Sequence, residues 1–143
     1  MTIENEDDLA RLKAVGSVVA RTLQAMGAAL EAGRKLNEIG RAAQSFADRS
    51  GYTIIRNLAS HGTGTALHEH PTKIATWDEP TERRRITNGL VVTIEPLLSL
   101  GSEWAMDGGG EWTLMAMGGQ PTVQNEHTLV ATPRGAVVVT QAN

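Results

Sequence analysis

Cysteine is absent from the 143-residue sequence, which excludes a disulfide framework, a thiol nucleophile and a thiolate metal site. Positive charge is scarce as well, because 13 Lys and Arg residues stand against 16 Asp and Glu residues, for a net charge of −3. The arginines at 83–85 form the basic block, which is less than a nucleic-acid-binding surface normally shows. We therefore expect no nucleic-acid partner, and we assign no function to these arginines.

Long apolar runs are also missing. No stretch approaches the length of a membrane-spanning helix, and the acidic residues 1–8 contain no apolar signal segment. Apolar residues make up 41% of the sequence and charged residues 20%, as is usual for a globular protein. We expect one domain with a sizeable core, located in the cytoplasm and without membrane contact.

Two helices are predicted in the first third of the chain. Asn5, followed by three acidic residues, is typical of a helix start, and we place the end of this helix at Gly33. A second helix ends at Gly51. Both carry apolar residues at steps of three and four, namely Leu9, Leu12, Val15, Val19, Leu23, Met26 and Leu30, then Leu36, Ile39, Ala43, Phe46 and Ala47.

The rest of the chain favours strands. We predict them at 52–56, at 90–95 before Pro96, and at 111–117, 123–132 and 136–140. Residues 72–88 are interpreted as an exposed loop, and residues 101–110 as a glycine-rich loop. Two helices followed by about five strands indicate an α+β domain, in which the helix pair covers one face of a mainly antiparallel sheet.

The chemistry is concentrated in residues 60–71, with the sequence Ser-His-Gly-Thr-Gly-Thr-Ala-Leu-His-Glu-His-Pro. Glu95 and Glu126 follow later, each inside a predicted strand. One imidazole and two carboxylates suit a divalent cation such as Zn²⁺, Mn²⁺ or Co²⁺. We therefore regard His61, Glu95 and Glu126 as candidate metal ligands, with a simple turn role as the alternative for His61.

The other polar residues allow several interpretations. A carboxylate at Glu95, in an otherwise apolar strand, must be compensated by a metal, an arginine or a water network. His68 is a candidate proton shuttle, outer-shell residue or hydrogen-bond donor to a substrate carbonyl, with structural packing as the alternative. Glu69 and His70 are interpreted as solvated loop residues.

These motifs resemble the type I methionine aminopeptidases of the pita-bread fold. The matching segments are the glycine-flanked His61, although Ser60 and Thr63 depart from the usual pattern, and the segments 68–71, 93–96 and 124–128. The resemblance implies release of N-terminal methionine from peptides. It gives His61, Glu95 and Glu126 the role of metal ligands, His68 a catalytic and substrate-binding role, and Glu95 a catalytic role. The implied cofactor is Co, Mn, Zn or Fe, with at most one ion per chain or none.

Between the segments that match the first helix and residues 34–40, the family carries a further stretch that this sequence lacks. That stretch supplies two metal-binding aspartates, another histidine and much of the methionine pocket. The resemblance thus implies a single half-pita-bread domain over 1–143, internally truncated, with the helix pair at about 5–51 and the strands and ligand motifs at about 52–143. It also implies a homodimer, whose two-fold axis replaces the family's pseudo-twofold. Enzyme activity stays open, and the alternative is a non-catalytic dimeric half-fold, acting as a scaffold, a binding module or an engineered or evolutionary intermediate.

Overall fold

The computed structural model describes residues 2–110 and 113–142. The first helix, α1, spans Glu6–Ala29 and begins as predicted. The side chain of Asn5 accepts a hydrogen bond from the backbone N–H of Asp8 at 2.9 Å. This bond satisfies one of the N–H groups that a helix start leaves without an intrahelical partner.

The end of α1 corrects the prediction at Gly33, because the helix already stops at Ala29. The next residue, Leu30, is fully buried. The N–H of Ala32 donates to the carbonyl of Thr132, and that of Gly33 donates to the carbonyl of Ile86. These tertiary hydrogen bonds draw the chain away from the helix axis before the glycine is reached.

The second helix, α2, spans Asn37–Ser50 and ends as predicted. Gly51 follows it with a φ of 74°, a left-handed conformation that glycine adopts without strain. The predicted apolar stripe of α1 is buried from Val15 onward, whereas Leu9 near its start is 46% exposed. Both helices contribute to one hydrophobic core.

The described residues form ten strands, grouped in three antiparallel sheets. Their bounds are Thr53–Ile54 (β1), Ser60–Gly62 (β2), Glu69–Ile74 (β3), Val91–Ile94 (β4), Leu97–Ser99 (β5), Ala105–Asp107 (β6), Leu114–Ala116 (β7), Thr122–Gln124 (β8), His127–Thr132 (β9) and Gly135–Val138 (β10). The largest sheet has the order β10-β9-β4-β2-β3, a second has the order β1-β5-β8, and β6 pairs with β7. A short 3-10 turn, Met117–Gly119, precedes β8.

The helices pack against the sheets on one side. α1 contacts α2, β4, β5, β8 and β10, while α2 contacts β1. Val92 and Ile94 of β4 and Leu129 and Ala131 of β9 belong to the core shared with the helices. The α+β prediction is therefore confirmed. Within the described residues, no helix is long and apolar enough to cross a membrane.

Several strand and loop predictions need correction. Residues 72–88 are not simply an exposed loop, because β3 runs into them and Ile74, Trp77 and Ile86 are buried. The glycine-rich loop at 101–110 contains β6, and the predicted strand 123–132 is two strands, β8 and β9. Of the predicted strand 111–117, Glu111 and Trp112 lie outside the described residues. Residues 114–116 form β7, Met117 begins the 3-10 turn, and Thr113 belongs to neither.

Candidate metal site

His61 lies in the middle of β2, between β3 and β4. The neighbouring Gly62 meets β3 so closely that a Cβ there would lie 2.4 Å from the carbonyl oxygen of His70. A side chain at this position would force the two strands apart. The glycine therefore allows β2 to sit deep in the sheet, where His61 is 9% exposed.

The two candidate carboxylates lie at strand breaks, which corrects the prediction that each lies inside a strand. Glu95 follows β4 and precedes β5, and Glu126 lies between β8 and β9. β4 pairs with β9 in the five-stranded sheet, and β5 pairs with β8 in the three-stranded sheet. Both breaks therefore occur at the junction of the two sheets, side by side, because Ile94 is opposite His127 and Leu97 is opposite Gln124.

The structure brings His61 and Glu95 into direct contact. The His61 Nε2 atom lies 3.3 Å from Glu95 Oε1, and both side chains are largely buried. The other ring nitrogen, Nδ1, is 2.8 Å from the carbonyl oxygen of Gly62. A carbonyl can only accept, so Nδ1 carries the donated hydrogen. In the neutral ring, the lone pair of Nε2 therefore faces the carboxylate, and a proton or a metal cation between them would satisfy both atoms.

Three side chains hold Glu95 in place. The hydroxyl of Thr93 donates to Oε1 at 2.8 Å, and the amide Nε2 of Gln124 donates to Oε2 at 2.9 Å. The backbone N–H of Glu95 donates to the hydroxyl oxygen of Ser60 at 3.0 Å. The buried carboxylate is compensated by these protein hydrogen bonds and by the imidazole of His61. This differs from the sequence-based expectation, which named a metal, an arginine or a water network.

The environment of Glu95 disfavours its charged form. Burial raises the pKa of its carboxyl above the usual value, and the negative charge of Glu126 raises it further. The hydrogen bond from Thr93 and the nearby imidazoles of His61 and His68 oppose this rise in pKa. Bringing a cation to this point would offset both the burial and the repulsion between the carboxylates.

His68 lies over His61. The two ring centroids are 4.2 Å apart, and the planes are tilted by 40°. Unlike His61, the His68 residue is exposed. An exposed imidazole above the buried histidine is placed to meet a molecule that approaches from solvent, so simple core packing does not account for this residue.

Glu69 has a structural role that the sequence did not indicate. Its carboxylate accepts a hydrogen bond from the backbone N–H of Ala66 at 2.8 Å. The N–H of Gly64 in turn donates to the carbonyl of Ala66 at 3.1 Å. Glu69 therefore supports the loop that leads to His68. Both Glu69 and His70 lie in β3, which corrects the prediction that they are loop residues, although His70 is exposed as expected.

Glu126 is the least tightly held of the three candidate ligands. It is exposed, and it acts on Glu95 through its charge. Among the residues that the structure describes, no group of three or more His, Asp or Glu side chains is arranged to hold a metal ion. The structure thus joins His61 with Glu95 directly and leaves Glu126 beside them at the same sheet junction.

Comparison with known proteins identifies the family. The model of metallopeptidase family M24 matches residues 2–133. The chain belongs to this family. Methionine aminopeptidase 2 of Bacillus subtilis is 34% identical over 111 residues, which are 78% of this chain and 45% of that protein. Methionine aminopeptidase 2 of Mycobacterium tuberculosis is 36% identical over 111 residues, which are 76% of this chain and 38% of that protein.

The fold comparison agrees with the sequence comparison. The crystal structure of methionine aminopeptidase from Thermotoga maritima superposes with a TM-score of 0.85 at 26% identity, covering 91% of this chain and 52% of that one. The two helices and antiparallel sheets are therefore part of the pita-bread fold, as the resemblance implied. The chain spans about half the length of the relatives that it matches.

Membership of the M24 metallopeptidase family implies a divalent metal cofactor, and two donor atoms, His61 Nε2 and Glu95 Oε1, have a spacing that fits two positions around one ion. Metal–ligand bonds of about 2.0–2.2 Å at a near-tetrahedral angle separate two ligand atoms by roughly 3.3–3.5 Å. The Nε2 to Oε1 distance of 3.3 Å between His61 and Glu95 matches this separation. The raised pKa of Glu95 is consistent with this, because burial and the neighbouring Glu126 both disfavour the bare carboxylate.

Proposed function

We propose that this M24 chain binds one divalent metal ion through His61, Glu95 and Glu126. We also propose that it releases N-terminal methionine from peptides by hydrolysing the peptide bond that follows it. The observation that supports the proposal best is the pair of electron-rich atoms, His61 Nε2 and Glu95 Oε1, which face each other at 3.3 Å. The similarity to methionine aminopeptidases supports the choice of substrate.

When bound, the ion would polarise a carbonyl group and lower the pKa of a water molecule. The protein residues would supply the other parts. Glu95, held by Thr93 and Gln124, keeps a fixed orientation. His68 stands at the exposed side of His61, where its imidazole can donate a hydrogen bond to the carbonyl oxygen of a peptide.

Turnover should be slow. The resemblance assigns two further metal-binding aspartates to a stretch without a match in this chain. In the structure, Asp7 and Asp8 lie on α1, Asp48 on α2 and Asp107 on β6, while Asp78 pairs with Arg41 at 3.6 Å. We therefore expect a mononuclear site whose turnover is well below that of a methionine aminopeptidase with all its ligands.

The direct test is metal content per chain after equilibration with Co²⁺, Mn²⁺, Zn²⁺ or Fe²⁺ and removal of excess ion. We expect about one ion per chain, and we expect it to be lost in Glu126→Ala and in His61→Ala. Glu4→Ala, which removes an exposed carboxylate before α1, is the matched control for charge. The metal-loaded protein is then assayed on a peptide with a free N-terminal methionine and on its acetylated form. Retention of the ion in both ligand variants would refute the assignment of the site.

The second candidate function is a non-catalytic dimeric half-fold. It is favoured by the edge strand β10, where Val137 is 54% exposed, and by Val139, which follows the strand and is 57% exposed. An exposed apolar edge promotes association with another chain. We propose a homodimer of two-fold symmetry, tested by light scattering at micromolar concentration. A monodisperse monomer would contradict it, and a dimer that persists in Glu126→Ala without metal or turnover would favour this second function.

A further inference from the structure

Strand β2, which carries His61, is joined through side-chain hydroxyls to β4 and to Glu95, which follows β4. The register of β2 against β4 pairs Gly62 with Val92. Further along, the N–H of His61 donates to the hydroxyl of Thr93 at 3.2 Å, and the N–H of Glu95 donates to the hydroxyl of Ser60 at 3.0 Å. At these two points, hydroxyl groups take the position of strand carbonyls.

Ser60 is fully buried, with a relative exposure of 0%. Its hydroxyl holds the backbone of Glu95 at the point where the chain leaves β4 and turns through Pro96 into β5. Ser60 also immediately precedes His61 in β2. One side chain therefore connects the backbones that carry both halves of the 3.3 Å contact between His61 and Glu95.

We propose that Ser60 is a positioning residue that sets the distance between His61 Nε2 and the carboxylate of Glu95. This inference rests on the proposed metal site. Thr93 also links the two residues, because its hydroxyl bonds the backbone of His61 as well as Glu95 Oε1. On the Glu95 side, however, Thr93 and Gln124 contact only the carboxylate oxygens and not the backbone. Ser60 holds the backbone from which that side chain extends, so its loss lets the whole Glu95–Pro96 segment move relative to β2.

The test compares Ser60→Ala with Ser102→Ala. Ser102 is also buried, at 3% exposure, and its hydroxyl accepts from the backbone N–H of Met117 at 3.1 Å near the β6–β7 pair, so it is a matched control. Loss of an outer-shell partner typically weakens metal binding 10–100-fold. We expect Ser60→Ala to bind Co²⁺ about tenfold more weakly than the unmodified protein, Ser102→Ala to bind it with unchanged affinity, and Ser60→Thr to restore part of the loss.

A measurement without metal separates this inference from the metal site itself. In the metal-free protein, the side-chain carboxyl ¹³C resonance of Glu95 and the ring ¹⁵N resonances of His61 should shift in Ser60→Ala and not in Ser102→Ala. Amide exchange of Glu95 should also become faster. If the unmodified protein binds no Co²⁺, the proposed function fails, while these shifts still support the positioning role. Unchanged resonances, or equal weakening of Co²⁺ binding in both alanine variants, would overturn the role of Ser60.

Discussion

Replacement of Gly62 by alanine is the sharpest test of how the sheet places the candidate site. An added Cβ would lie 2.4 Å from the carbonyl oxygen of His70 and 2.6 Å from its carbonyl carbon. Real Cβ contacts essentially never fall under 3.0 Å, so β2 and β3 must separate by roughly 0.6 Å or more. The obstructing atoms are backbone, so a change of side-chain rotamer cannot relieve the contact. We expect a cost near the upper end of the range for overpacking, about 3 kcal/mol.

Thermal unfolding measures this cost. A loss of about 3 kcal/mol lowers the Tm by roughly 6–12 °C for a chain of this size. The control is Gly16→Ala on α1, where an added Cβ meets nothing within 4 Å. That substitution should stabilise the protein by about 0.5–1 kcal/mol, because alanine is the better helix former. A Gly62→Ala protein with a Tm equal to or above that of the unmodified protein would refute the close approach of β2 and β3.

Two further substitutions test the electrostatics and the loop. The pKa of Glu95 is raised in the folded protein, so the stability that its neutral form contributes is full below the unfolded pKa and is lost as pH rises through the folded pKa. With a chelator present to remove metal, Glu95→Gln should therefore be more stable than the unmodified protein at pH 7 and about equally stable at pH 4. A Tm of the variant below that of the unmodified protein at pH 7 would contradict this. Glu69→Ala removes the hydrogen bond to the Ala66 N–H, so amide hydrogen exchange in residues 64–68 should become faster, with Glu4→Ala as the control. Exchange in 64–68 as slow as in the unmodified protein would refute this role of Glu69.

The helices were predictable because their determinants are local. The Asn5 cap, the stripe at steps of three and four and the left-handed Gly51 are all visible within a few residues of sequence. The early end of α1 was not predictable, since it depends on hydrogen bonds from Ala32 and Gly33 to residues far along the chain.

The segment 72–88 shows a different limit. Its proline, Pro80, and its charges are typical of a loop, yet Ile74, Trp77 and Ile86 are buried. Gly40 of α2 approaches the carbonyl oxygen of Trp77 so closely that a Cβ would lie 2.0 Å from it. Burial here comes from packing against a helix at a long sequence separation, and no local periodicity records it.

The site was predicted in part. The sequence indicated His61, His68, Glu95 and Glu126 as the chemically active residues, and the structure brings His61 together with His68 and with Glu95. The sequence did not indicate that Ser60, Thr93 and Gln124 form hydrogen bonds with Glu95. Short polar residues in strands carry no sign of their hydrogen bonds, which depend on the register between strands. The only available signal was that Thr93 precedes Glu95 by two residues and so shares its face.

The position of Glu95 and Glu126 at strand breaks allows the folded protein to hold two negative charges close together. Inside a strand of the core, the carboxylate of Glu95 would have to be paired and hydrogen-bonded, or take up a proton. At the sheet junction its side chain keeps 17% exposure and is bonded by Thr93 and Gln124, while Glu126 is exposed. The metal-free chain can therefore fold. The cost of burying the carboxylate of Glu95 then shows as a raised pKa. Metal binding is then expected to add stability to a fold that already exists, so a Tm that rises with ion concentration is the signature of this arrangement.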